Sequence, residues 1–124
     1  MLSQDHVATA QAFLNDSDQG FEAGNRLQAS EKLWGAASHA VMAVARHRGW
    51  GHRTHRDLKN AVQRLAQESG DDALHAGFLA AEKFHKNFYH DEMEDFEIEI
   101  DRPLIHTFVA RTLALLGYPD GWTR

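Results

Sequence analysis

The stretch that decides the fold is residues 25–47, NRLQASEKLWGAASHAVMAVARH. Leu27, Ser30, Trp34, Ala37, Val41 and Val44 recur there at alternating steps of three and four, which draws one stripe along a helix of period 3.6. Gly35, Ala36, Ala37, Ser38 and Ala40 are small enough for another helix to approach closely. Gly49-Trp50-Gly51 closes the segment. The pattern predicts a long central helix from about Asn25 to His47.

Working outward, a first helix is expected from Ser3, a good N-cap, through Val7, Ala10, Phe13 and Leu14. It should weaken across Asn15 to Gly20, with Gly20 and Gly24 marking a turn or kink. A third helix, about Thr54 to Glu68, carries Leu58, Val62 and Leu65 and stops at Ser69-Gly70, where an Asp can cap the next. The fourth, about Asp72 to His90, has the stripe Leu74, Phe78, Ala81, His85 and Phe88, so an imidazole stands where its neighbours are apolar. Glu92 to Ile100 is too acidic to bury fully and reads as a loop or extended connection anchored by Phe96, Ile98 and Ile100. A fifth helix should begin at Asp101-Arg102-Pro103, with Asp as cap and Pro in the first turn, and carry Leu104, Ile105, Phe108, Val109, Leu115 and Leu116 to Gly117. Tyr118 to Arg124 reads as an exposed end. With proline only at 103 and 119 and no repeat or linker, residues 1–124 form a single all-α domain, an up-and-down bundle of four to five helices.

The 124 residues, 43% hydrophobic and 25% charged, are enough for one core without metal or disulfide staples. The absence of cysteine excludes a disulfide framework, a thiolate zinc site, an iron–sulfur cluster and a cysteine nucleophile. No apolar run is long enough to span a bilayer, and the N-terminus lacks the pattern of a signal peptide, so a soluble cytoplasmic protein that makes no use of a membrane is expected. Thirteen Lys and Arg against eighteen Asp and Glu give a net charge of −5, the wrong sign for a nonspecific nucleic-acid coat. Charge is uneven, however. Arg46, Arg48, Arg53, Arg56, Lys59 and Arg64 make a locally basic region that could take an anion. Asp91 to Asp101 is strongly acidic and is expected to neutralise that region within or between subunits.

Two segments, Ser30-Glu31-Lys32-Leu33-Trp34-Gly35-Ala36-Ala37 and His85-Lys86-Asn87-Phe88-Tyr89, together resemble the PaREP1-like proteins, a group placed in the HEPN superfamily of helical nucleotide-associated domains. The resemblance covers roughly residues 20 to 115. It implies a HEPN-like bundle, commonly a homodimer, in a superfamily of toxin ribonucleases, partners of small nucleotidyltransferases and noncatalytic binding modules. The ribonuclease branch is marked by Arg followed after four to six residues by His, a cation for phosphate and an imidazole for proton transfer. Arg46 with His52 fits that spacing, and Arg48 with His55 is a poorer match. With nine Arg and nine His, about two such pairs arise by chance, and these lie at the end of the second helix rather than on the last helices. The same side chains also read as a polar helix terminus that favours the C-terminal dipole.

A second constellation places Glu31, Lys32 and Trp34 opposite His85, Asn87 and Tyr89 if the second and fourth helices pack together. A carboxylate, an imidazole and a carboxamide in an apolar setting could form a polar ligand pocket lined by Glu31, His85, Asn87 and Tyr89. They could equally form a structural network in which Glu31 orients His85 and Asn87 ties a helix end to a loop. Glu82 and His85 have the Glu-x-x-His spacing of di-iron bundles but no second copy, so no metal or cofactor is expected. Trp34 reads as core; Trp50, between two glycines, reads as a wedge in a dimer interface or a lid over a pocket. The expectation is a noncatalytic nucleotide- or RNA-associated binding module, with a metal-independent endoribonuclease using Arg46 and His52, or a structural partner of a nucleotidyltransferase, as alternatives.

Overall fold

In the computed structural model, which describes residues 1–117, the element order is α1 (Ser3–Glu22), α2 (Arg26–His47), α3 (His55–Ser69), α4 (Asp72–His90) and α5 (Asp95–Ala114). The described residues are all helix and connection, an all-α bundle as the spacing predicts. The sequence expectation for Tyr118 to Arg124 lies outside the described residues.

The central helix forms as expected, and α2 touches the other four helices. Its inner face is mostly alanine: Ala29, Ala36, Ala37, Ala40, Ala43 and Ala45 are buried together with Leu33, Val41 and Val44. Small side chains let its neighbours come close. α1 lies along it as an antiparallel hairpin, turning at Gly24 in the left-handed region (φ 83°) while the Asn25 N–H donates to the Gly20 carbonyl at 2.9 Å.

α1 does not weaken at Asn15 to Gly20 but continues to Glu22. The reason is tertiary. Ser17 is buried and donates to the Ala29 carbonyl at 3.0 Å, and Gly20 faces Ala29 so closely that a Cβ would stand 2.9 Å from the alanine methyl. Ser17 and Gly20 are thus used by the α2 contact, and Asp18 by Arg102 and His106 of α5, rather than by a turn. Ser3 is the first helical residue rather than the cap; the Asp5 carboxylate accepts the Leu2 N–H at 2.8 Å instead.

Thr54 and Asp71 cap α3 and α4 as their sequence positions suggest, accepting from the N–H groups of Asp57 and Ala73 at 3.0 Å each. The larger correction concerns α5. It begins at Asp95, so most of the acidic segment is helix rather than a connection, and Asp101 and Pro103 lie inside it. Acidic side chains at a helix N-terminus are favoured by the dipole, and the Glu97 carboxylate accepts the Glu94 N–H at 3.0 Å. Arg26 bridges Asp91 at 2.9 Å and Asp95 at 3.2 Å, while Lys83 holds Asp101 at 2.6 Å. The acidic segment therefore pairs with Arg26, Lys83 and Lys86, not with the Arg46–Arg64 region expected to neutralise it. Of its three expected anchors only Ile98 is buried; Phe96 and Ile100 are exposed. Pro103 has no N–H to give the Glu99 carbonyl, a loss tolerated because both residues face solvent. No helix among the described residues is long and apolar enough to cross a membrane.

Candidate functional site

The basic region collects at the C-terminal end of α2. After His47 the chain turns through Gly49 in the left-handed region (φ 75°), and the Trp50 N–H donates back to the Ala45 carbonyl at 2.8 Å. Trp50 thereby stands as a wall between two open clefts. One, about 520 Å³, is lined by Leu2, Ser3, Gln4, Arg46, His47, Gly49, Trp50 and His52. The other, about 350 Å³, is lined on its far side by Asp57, Asn60 and Arg64. The Arg64 guanidinium lies 4.0 Å from the centre of the Trp50 indole and that of Arg48 5.2 Å away. Arg48 is also paired with Glu68. Asp57 accepts the N–H groups of Thr54 and Arg53, which hold its carboxyl below the usual range.

Arg46 and His52, paired in the sequence by spacing alone, line the same cleft. Arg46 is exposed, and its side chain makes no ion pair or hydrogen bond among the described residues. His52 donates from Nδ1 to the Trp50 carbonyl at 3.1 Å, which leaves the lone pair on Nε2. That nitrogen is the one able to take up or give a proton.

Behind the cleft lies a histidine cluster that sequence reasoning missed. His6 of α1 is buried, with its Nδ1 2.8 Å from Nδ1 of His39 on α2, and its ring is edge-on to His52 with 6.2 Å between centres. Burial pushes the His6 pKa down to about 4, assisted by the charges of His39, His52, the N-terminal amine and Arg46. Burial also lowers that of His39. A histidine inside the small-residue run Ala37-Ser38-His39-Ala40 was the available signal.

Neutral buried histidines have a consequence for stability. The unfolded chain binds protons at its ordinary imidazole value of 6.5 that the folded His6 refuses until about pH 4. In that window the unfolded state holds more protons, so stability is complete above about pH 7 and falls as the pH drops toward 4. The loss attributable to His6 should reach on the order of 2–3 kcal/mol. Urea midpoints measured across this range should show the slope, and His6→Asn should flatten it; an unchanged slope in that variant would place the acid sensitivity elsewhere.

The second predicted constellation is arranged differently from a single pocket. His85 Nδ1 lies 2.8 Å from the Glu31 carboxylate, its ring stacks on Trp34 with 4.9 Å between centres, and Tyr89 meets it edge-on at 5.5 Å. Glu31 and His85 are half-buried and Tyr89 is exposed. Trp34, read as core from the sequence, is only partly buried: it packs against the core beside Phe78 and meets His55 edge-on at its outer side. Asn87 points away from this group. It is fully buried, donates to Ser30 Oγ at 3.2 Å and accepts the N–H groups of Glu92 and Met93 at 2.8 and 2.7 Å. Its oxygen holds the α4–α5 turn and its nitrogen ties α4 to α2, so the amide serves the packing of the bundle. Glu82 bonds to His55 at 2.8 Å, and no group of three or more His, Asp or Glu among the described residues is placed to hold a metal.

Neither a curated protein nor a solved structure matches the chain. The model of the archaeal PaREP1/PaREP8 family matches residues 5–109, a span that runs from the first turn of α1 through most of α5 and contains both constellations. By that match over the greater part of its length, the chain belongs to the archaeal PaREP1/PaREP8 family.

Proposed function

We propose that this protein is a noncatalytic, HEPN-like nucleotide- or RNA-binding module whose site is the Arg46–Trp50–His52 cleft. The observation that carries this reading is the Arg46 guanidinium, without an ion pair among the described residues, in an open, positively biased hollow of a protein whose net charge is −5. His6 borders the hollow, and its protonation is opposed first by burial and then by His39, His52, the N-terminal amine and Arg46. A guanidinium without a carboxylate is suited to a phosphate, and an adjacent indole edge offers apolar contact to a base. The Glu31–His85 face, by contrast, offers a carboxylate where a phosphate would have to approach.

The test is the anisotropy of a labelled single-stranded RNA titrated with protein in chelator at low salt. Wild type should bind, Arg46→Ala should weaken binding about tenfold, and Glu31→Gln should leave it unchanged. Equal binding by wild type and Arg46→Ala would remove the reading. A second reading, endoribonuclease activity, is favoured by one observation, the free Nε2 of His52 in the same cleft as Arg46. It predicts that the RNA shortens during incubation with wild type and stays intact with His52→Ala.

A further inference from the structure

α5 is apolar on two sides. Its inner side supplies Ile98, Ile105, Phe108 and Val109 to the core, while Phe96, Ile100 and Leu104 stand 62%, 64% and 41% exposed along its outer side. They recur every four residues, so they form one outward stripe, continued by Pro103, Thr107 and Ala110. Lys83 of α4 holds Asp101, and Leu79, one turn before Lys83 and 56% exposed, extends the stripe across the α4–α5 surface. Beside the stripe is an open hollow of about 440 Å³ lined by Glu99, Arg102, Pro103, His106 and Thr107.

Charge and size decide what covers this face. Asp18 receives both Arg102 at 3.0 Å and His106 at 2.9 Å, so one carboxylate serves two basic side chains. Less than one turn away, Glu99 is exposed and makes no ion pair among the described residues. Glu99 has no cation among the described residues and the two basic side chains share one acid, yet all three lie on one side of a single helix. An antiparallel two-fold crossing of α5 on itself near Arg102 and Pro103 satisfies both, because like flanks meet in such a pair and each Glu99 arrives beside the other copy's His106 and Arg102. The same crossing sets Ile100 against Leu104 and lays the large Phe96 ring over the small Thr107 and Ala110. We infer that the outer face of α5 is a self-complementary interface, covered in solution by a second copy of this chain through an antiparallel α5–α5 contact.

Sedimentation equilibrium of the full chain at micromolar concentrations tests this. Wild type should sediment at twice the 14.0 kDa chain mass. Ile100→Glu and Phe96→Glu should sediment as single chains with unchanged helical circular dichroism, since both positions are exposed. Glu99→Lys should raise the dimer dissociation constant at least about tenfold without touching the apolar stripe. Should either apolar variant lose helical signal, Glu99→Lys carries the same test. The inference is overturned by a monomeric wild type, by a dimer indifferent to Ile100→Glu and Glu99→Lys, or by a wild type that binds lipid vesicles in preference to itself.

Discussion

Gly77→Val should destabilise the protein by about 3 kcal/mol, one of the largest losses expected from a single side-chain enlargement here. Gly77 is where α4 and α5 touch: a Cβ placed on it would stand 2.4 Å from the Phe108 Cβ and 3.0 Å from the Leu104 carbonyl. Neither is the free end of a flexible side chain, so only a separation of the two helices could make room. The alanine variant makes the argument sharper because its sign is at stake. In an open helix interior Gly→Ala stabilises by nearly 1 kcal/mol. At Gly77 the clash opposes that gain, and Gly77→Ala should still lower the urea midpoint while leaving the denaturant slope unchanged. A higher midpoint for the alanine variant would falsify the close α4–α5 crossing.

Asn87→Ala should cost about 3 kcal/mol, seen as a fall of roughly 10 °C in melting temperature. The substitution removes the acceptor of two backbone N–H groups, of which that of Met93 is buried, and the donor to Ser30. Those groups cannot turn to water without opening the α4–α5 turn, whose Asp91 already sits in the left-handed region (φ 46°). Tyr89→Ala, two residues on and exposed, should shift stability by less than about 0.5 kcal/mol. If the two variants behave alike, Asn87 does not hold the turn.

That pair also shows what the sequence could tell about the site. Asn87 and Tyr89 look equivalent in a one-dimensional motif, but consecutive helical residues diverge by about 100°, and the stripe alone does not say which faces in. The helices themselves were legible wherever spacing and caps agreed, as for α2, α3 and α4. They were not legible where polar residues met distant partners. Asp95 and Glu97 looked like solvated loop, and Asp101 like a helix cap, because Arg26 and Lys83, which neutralise them, are far away in sequence. Likewise Ser17 and Gly20 looked like a helix end because the contact that employs them is with Ala29. Spacing did propose Arg46 with His52, and both line one cleft, yet the His6–His39 pair behind it joins two helices, and only the His39 half has a local signal.

The alanine-lined interior of α2 bears on how freely the chain can vary. Four helices lean on one rod whose buried side chains are alanine at six of eleven positions, which brings the backbones close. An added carbon at Ala36, Ala37 or Ala40 must displace whole helices, while the outer face of α3 can exchange one polar residue for another with little structural effect. Tolerance to drift is therefore distributed from the centre outward, and the middle of the second helix is the part of this protein with the least room to become anything else.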